Sequence, residues 1–223
     1  MIILALETST EYCSAALWHD GDVDGVEEHV GQSHSERVLA MVDALLARHR
    51  LEAGDLDGIA YGAGPGSFTG LRIACGVTQG LAFGAGIPIV GVGTLLAMAA
   101  CVEAERVVCC TDARMHEIYH AAYERRGEGW TEALEPTVCP PAQAPSLPAG
   151  MWFGCGNGFA VYRDALLERY AGRLSEVDAT IHPRAHEIVR LAVPRFERGE
   201  ARDAADAAPF YVRDKVALKT HER

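Results

Sequence analysis

GAGPGSFTGLRIACG, from Gly62 to Gly76, is a glycine-rich turn that opens onto a helix, and what that turn holds decides how the rest of the chain is read. Glycines permit close backbone approach, and free N–H groups at a helix start attract anions, so the turn could serve a nucleotide or another protein. A Walker A loop would end in Gly-Lys-Ser/Thr, with the lysine on phosphate and the hydroxyl on magnesium. Here the corresponding residues are Thr69, Gly70 and Leu71, and the lysine is absent. A dinucleotide fingerprint fails as well, because the glycine spacing is wrong and no acid follows about 20 positions on.

Working outward, IILAL and CSAALWH predict two strands, and the Asp20-Gly21 pair predicts a tight hairpin into a third strand ending near Val30. Ser33 three residues before Glu36 has the capping-box spacing. Val38, Met41, Val42, Leu45, Leu46 and His49 then trace one face of a helix. DGIAYG predicts a fourth strand, the glycine motif starts a second helix, IPIVGV is a fifth strand, and TLLAMAACV begins a third helix. From Arg106 the pattern restarts: VVCCTDAR, HEIYHAAYE, a strand around Leu134 to Cys139, a proline-rich loop, WFGCG, and helices near 158–171 and 184–198. Glu7 and Asp112 hold equivalent places, each an acid that ends a first strand before a polar turn. This internal symmetry divides the chain into 1–105 and a shorter 106–223, whose C-terminal segment could return to the first part. The architecture is that of a duplicated α/β fold of the actin-like, ribonuclease H-like class, in which ATP lies between the halves. In such ATPases each first turn pairs its acid with glycines. The turns here, Glu7-Thr8-Ser9-Thr10 and Asp112-Ala113-Arg114-Met115, have none, so the nucleotide site reads as degenerate.

Composition narrows the partners. The 223 residues are 49% hydrophobic, and 31 acidic against 20 basic side chains give a formal charge of -11, which disfavours long-range attraction to a polyanion over most of the surface. Seven cysteines without a Cys-x-x-Cys pair read as reduced thiols, and MIILALETST carries Glu7 where a leader would stay apolar, so a cytoplasmic location is expected. From Ile73 to Val102 no residue is charged, yet Gly84-Ala85-Gly86 and Pro88 break that run, and no membrane span is expected. His116-Glu117-Ile118-Tyr119-His120 matches the zinc-protease pattern, which needs a helix. On a strand the two histidines stand about 13 Å apart, too far to share a zinc. His182 and His186 read as a helix cap and a first-turn residue beside Pro183, and His34 as helix-start chemistry. No catalytic residue, metal or cofactor emerges.

On a helical wheel, Gly70, Ala74, Val77 and Leu81 form one face of the second helix, and Thr69, Ile73, Gly76, Gly80 and Gly84 form its neighbour. With only Arg72 and Gln79 long and polar, that helix calls for cover beyond its own sheet, and small residues admit another helix closely. GPGSFTGLRI (64–73), with SHSERVLAMVDALL (33–46) before it and GLAFGAGIPIVGV (80–92) after it, closely resembles the bacterial TsaB (YeaZ) family. LALETSTEYCSAAL, DARMHEIY, GCGNG and PFYVRDKVA extend the resemblance over nearly the whole chain. It implies a non-catalytic subunit that binds the catalytic paralogue TsaD and supports transfer of threonylcarbamoyl to the adenosine beside the tRNA anticodon. The ATPase TsaE joins that complex, tRNA is met only indirectly, and self-association is expected without the partner. TsaD carries a metal-binding His-x-x-x-His where this chain reads Gly93-Thr94-Leu95-Leu96-Ala97-Met98. The partner surface expected from these residues comprises Val38, Met41, Val42, Leu45, Ser67, Phe68, Gly70, Leu71, Ile73, Ala74 and Val77. An actin-like ATPase or phosphotransferase acting alone, and a metallopeptidase, are the competing readings.

Overall fold

A computed structural model describes residues 1–212; of PFYVRDKVA, everything from Arg213 on lies outside the described residues. In the first half, β1 (Ile2–Glu7), β2 (Tyr12–His19), β3 (Asp22–His29), β4 (Gly58–Gly64) and β5 (Ile89–Gly93) form one sheet in the order β3-β2-β1-β4-β5. In the second, β6 (Arg106–Asp112), β7 (Ile118–Arg126), β8 (Gly129–Cys139), β9 (Trp152–Cys155) and β10 (Leu174–Asp178) form another in the order β8-β7-β6-β9-β10. Each sheet has its first strand in the middle, an antiparallel hairpin on one side and two parallel strands on the other. The two halves therefore repeat one topology, as the restart at Arg106 implies.

The helices are α1 (His34–His49), α2 (Phe68–Ala85), α3 (Thr94–Ala100), α4 (Gly158–Val161), α5 (Arg163–Arg169) and α6 (Ala185–Glu197). Side chains alternate along a strand, so β1 sends Leu4 and Leu6 to α1 and α2, and Ile3 and Ala5 to α6. With both faces covered, a strand reads as a continuous apolar run, which is why IILAL has no polar alternation. The second sheet packs Val108, Cys110, Ile118 and Trp152 against Phe159 of α4 and Leu166 of α5. Its other face packs Val107, Cys109 and Ala121 against Leu95, Met98 and Ala99 of α3. Since α3 also sends Ala97 to the α6 cluster, α3 and α6 together fill the space between the sheets.

Local structure departs from the sequence reading at two places. Ser33 makes no side-chain cap; α1 is instead held at its start by His34, whose Nε2 lies 2.8 Å from the Thr10 carbonyl, and by Val30 and Gly31 N–H groups on the Glu11 carbonyl. The helix expected over 158–171 is broken at Tyr162 and followed by β10, a short edge strand with only Leu174 and Val177 to mark it. The C-terminal segment does return to the first half: α6 lies on the first sheet, Arg202 bridges Ile89, and the Phe210 N–H donates to the Ala63 carbonyl at 2.7 Å. At the hairpin tip Asp20 and Gly21 both take positive φ, 52° and 102°, as a two-residue turn requires. No helix among the described residues is long and apolar enough to cross a membrane.

His120 on β7 is fully buried with neither ring nitrogen partnered among the described residues, and burial pushes its pKa down to about 4 from 6.5. The native protein keeps it neutral while the unfolded chain takes up a proton below about 6.5, so stability is full above that pH and falls as pH drops toward 4. His120→Leu is expected to flatten this acid limb by up to about 3 kcal/mol. Denaturant midpoints of both proteins across that range check it.

Candidate functional site

The central strands β1 and β6 both end at one cleft between the halves, a space of about 1030 Å³. Ser9, Thr10, Ser67 and Thr69 line it from the first half, Asp112, Arg114 and Asn157 from the second, and Phe210 and Tyr211 from the returning C-terminal segment. This is where the first turn of each half would grip a nucleotide, and each turn is occupied by its own chain.

In the first turn Glu7 is only 1% exposed, and one of its carboxylate oxygens accepts the Ser9 N–H. A Cβ on Gly62 of β4 would collide with the Glu7 carboxylate, so the acid points into the space that a side chain would have filled. The Thr8 hydroxyl donates to the Gly70 carbonyl at 2.7 Å, and the Ser67 N–H donates to the Ser9 carbonyl at 2.8 Å. Cβ atoms at Gly66 and Gly70 would overlap Ser9 and the Thr8 carbonyl. The glycines of GAGPGSFTG thus let the turn before α2 close onto the turn after β1. Ser67 Oγ accepts the Gly70 N–H at 3.3 Å and caps α2.

In the second turn Asp112 is held at 3.0 Å by the Tyr162 hydroxyl, at 3.0 Å by Arg114 Nη1 and at 2.9 Å by the Arg114 N–H. Its own N–H donates to Asn157 Oδ1 at 2.9 Å. Arg114, Met115 and His116 follow at φ 61°, 55° and 61°. Such left-handed residues cost about 1–2 kcal/mol each, so this turn is held by its contacts rather than by preference. The zinc-protease pattern is split between His116 in that turn and the buried His120 on β7, and no group of three or more metal-binding side chains occurs among the described residues. His182 is not a cap: Arg184 holds the N-cap position of α6, and the His182 ring stacks on Tyr12.

The residues expected on a partner surface divide. Val38, Met41, Val42 and Leu45 lie in the chain's own core beside Leu4 and Leu6, and Gly70, Leu71 and Ala74 lie on the buried side of α2. These seven are corrected to core positions, because the helix faces with the bulkiest apolar residues, and the one held by Gly70, are those the first sheet takes. Ile73 and Val77 are half-buried at the helix edge, while Ser67 and Phe68 stand at the mouth of the cleft. There the Arg72 guanidinium lies 3.3 Å above the Phe68 ring, and Tyr211 lies 5.8 Å beyond. What α2 shows outward is Thr69, Arg72, Gly76, Gln79, Gly80, Gly84 and Phe83, the last 78% exposed. On α1 it is Ser35, Glu36, Arg37, Leu39, Ala40, Asp43, Ala44, Ala47 and Arg48. Gly76 and Gly80 belong to the second face of the wheel, whereas the exposure of Phe83 and Leu39 carried no signal in the sequence.

Two repeats of one five-stranded topology around a shared cleft define a duplicated actin-like α/β protein. The family model described as "TsaD: tRNA N6-adenosine threonylcarbamoyltransferase" matches residues 26–220. The tRNA threonylcarbamoyladenosine biosynthesis protein TsaB of Escherichia coli is 38% identical, covering 98% of this chain and 97% of that protein. The Haemophilus influenzae TsaB is 36% identical over 98% and 96%. Among solved structures, YeaZ from Pseudomonas aeruginosa superposes with a TM-score of 0.87 at 39% identity over 94% of this chain and 99% of that one. The chain belongs to the TsaB (YeaZ) family.

Burial pushes the Glu7 carboxyl up to about 7 from 4.5, against the lowering effect of Ser9. Its contribution to stability is therefore full below about pH 4.5 and lost as pH rises through about 7. Glu7→Gln is expected to remove up to about 3 kcal/mol of this alkaline loss. Melting temperatures from mildly acidic to alkaline pH should then run flatter for the variant; parallel curves would show that Glu7 does not titrate there.

Proposed function

We propose that this chain is the non-catalytic subunit that docks on the catalytic transferase TsaD and supports threonylcarbamoyl transfer to tRNA. The relatives' shared name assigns the family to tRNA threonylcarbamoyladenosine biosynthesis. The observation that carries the non-catalytic reading is the state of the two cleft acids. Glu7 is sealed under Ser9 and Gly62, and Asp112 is neutralised by Arg114 and held by Tyr162. Glu7 is thus buried away from the cleft, and Asp112 enters it already engaged by Tyr162 and Arg114, which disfavours a magnesium-holding role for either.

The docking surface in this proposal is the outward side of α1 and α2, with Gly76, Gly80 and Gly84 as its floor and Leu39 and Phe83 as apolar contacts. Cβ atoms built on the three glycines meet no heavy atom within 4 Å among the described residues, so the fold does not need glycine there. Another helix could approach the backbone closely along this line. TsaD is the occupant this surface fits because the transferase's own family model matches this chain, and related folds present related helices to one another. TsaE would join through that complex, and with a net charge of -11 tRNA would be met mainly through partners. Without TsaD, the same surface would favour a second copy of the chain.

Gly80→Leu tests the surface. It is expected to leave the melting temperature of the isolated chain unchanged or raised, since helical glycine is unfavourable by about 1 kcal/mol. Crowding a helix contact commonly costs about 1–3 kcal/mol, so affinity for TsaD should fall roughly 5- to 150-fold. Ala74→Trp, at a fully buried position, is expected to do the reverse and unfold the chain at lower temperature. Unchanged TsaD affinity in Gly80→Leu would remove α2 from the interface. Robust ATP turnover by the purified chain, lost in Asp112→Ala, would overturn the non-catalytic reading.

A further inference from the structure

The chain crosses between its halves twice, along 101–105 from α3 to β6 and along 179–184 from β10 to α6, and the crossings meet where the Cys101 thiol lies 3.6 Å from the His182 carbonyl. The His182 side chain, 13% exposed, stacks on Tyr12 of β2 with ring centroids 3.8 Å apart and planes 8° from parallel. Nδ1 lies 3.0 Å from the Thr180 carbonyl on its own crossing. Nε2 lies 3.2 Å from one Glu27 carboxylate oxygen on β3, and Arg184 Nε lies 3.6 Å from the other.

A carbonyl only accepts, so Nδ1 carries a hydrogen. An ionised carboxylate also only accepts, and a neutral ring with its hydrogen on Nδ1 would turn the Nε2 lone pair toward Glu27. An imidazolium suits the Thr180 hydrogen bond and makes the Glu27 contact an ion pair, though not an aligned hydrogen bond, and the Tyr12 face beneath it favours a cation. We propose that His182 is a proton-dependent latch between the halves: as imidazolium it ties the 179–184 crossing to β2 and β3 through Tyr12 and Glu27, and loss of the Nε2 proton releases that tie.

The groups around the ring set the direction. Glu27 from β3 favours the cation, Glu7 from β1 does so only once it ionises near pH 7, and Arg184 on the crossing opposes it. Tyr12 carries the ring, with His29 edge-on to Tyr12 at 5.0 Å; Cys101, itself influenced by Glu187 of α6, touches only the carbonyl. Burial lowers the pKa, but the Glu27 contact and the Thr180 carbonyl raise it, and the net shift is upward from 6.5. The latch is thus fully engaged below about 6.5 and lost as pH rises through the elevated native value. Pro183, next in the chain, lines the cleft, so release acts on the cleft wall.

Hydrogen exchange of the full chain, read on peptides covering 179–187 and corrected for intrinsic rates, tests the latch. Protection is expected to fall between about pH 6 and about pH 8.5 in the wild type. Glu27→Gln should be poorly protected at both, and Glu7→Gln should keep the wild-type fall, which separates the latch from the titration of Glu7. His182→Gln, lacking a titrating ring, should show pH-independent protection and carries the test where Glu27→Gln does not fold. Equal wild-type protection at both pH values, or a wild-type pH response in either Glu27→Gln or His182→Gln, would overturn the proposal.

Discussion

Three absent Cβ atoms govern the first half. At Gly62, Gly66 and Gly70 a methyl group would run into Glu7, Ser9 and Thr8 respectively, and the close approach these glycines allow seals the turn after β1 beneath the start of α2. Glu7 is desolvated as a result, and that is the cause of its raised pKa. The hydrogen bonds from Thr8 to Gly70 and from Ser67 to Ser9 then fix where α2 begins. Once its start is fixed, its period decides that Leu71, Ala74 and Cys75 meet the sheet and that Gly76 and Gly80 face away.

The second half obeys the same topology but closes its first turn by different chemistry. Gly156 and Gly158 bring the loop after β9 against the Cys110 carbonyl, where Asn157 Oδ1 accepts the Asp112 N–H, and the Asp112 carboxylate itself is met by the Tyr162 hydroxyl and by Arg114, carried on a left-handed turn. The two acids at equivalent positions are thus engaged by different groups. Between the halves, α3 and α6 supply the apolar packing, and the polar contacts of His182 with Tyr12 and Glu27 lie at the crossing that leads into α6. Apolar packing of this kind is indifferent to pH, so sensitivity to protons concentrates at the few ionisable groups drawn into these joints.

Much of this was legible because it is local. The apolar run IILAL, the Asp20-Gly21 turn and the helical spacing of Val38, Met41, Val42 and Leu45 each specify an element from neighbours in sequence. The repeat at Arg106 followed from the order of those elements. What failed was assignment of faces, since Val38 or Ala74 could serve a sheet or a partner equally well on a helical wheel. Only the sheet's position decides between them, and that depends on pairings such as Leu4 with Ile59 across more than fifty residues of chain. The role of the first-turn acids was likewise hidden: the sequence reveals that glycines are missing beside Glu7 but not that Gly62 lies beneath it.

The same helix and the turn before it carry two kinds of glycine, and the contrast bears on what α2 is for. Gly66 and Gly70 are required by the fold, because any side chain there would strike the chain itself. Gly76, Gly80 and Gly84 are not, since each faces open space among the described residues and each weakens the helix by about 1 kcal/mol relative to alanine. A helix that sheds stability at three successive outward positions, while placing Phe83 and the edges of Ile73 and Val77 beside them, gains nothing from that composition in isolation. The composition becomes favourable once a second backbone packs into the gap, where absent side chains shorten the distance between helix axes and the flanking apolar groups lose their water. This asymmetry between glycines the fold needs and glycines it only tolerates is the physical ground for placing the proposed TsaD contact on the outward side of α2.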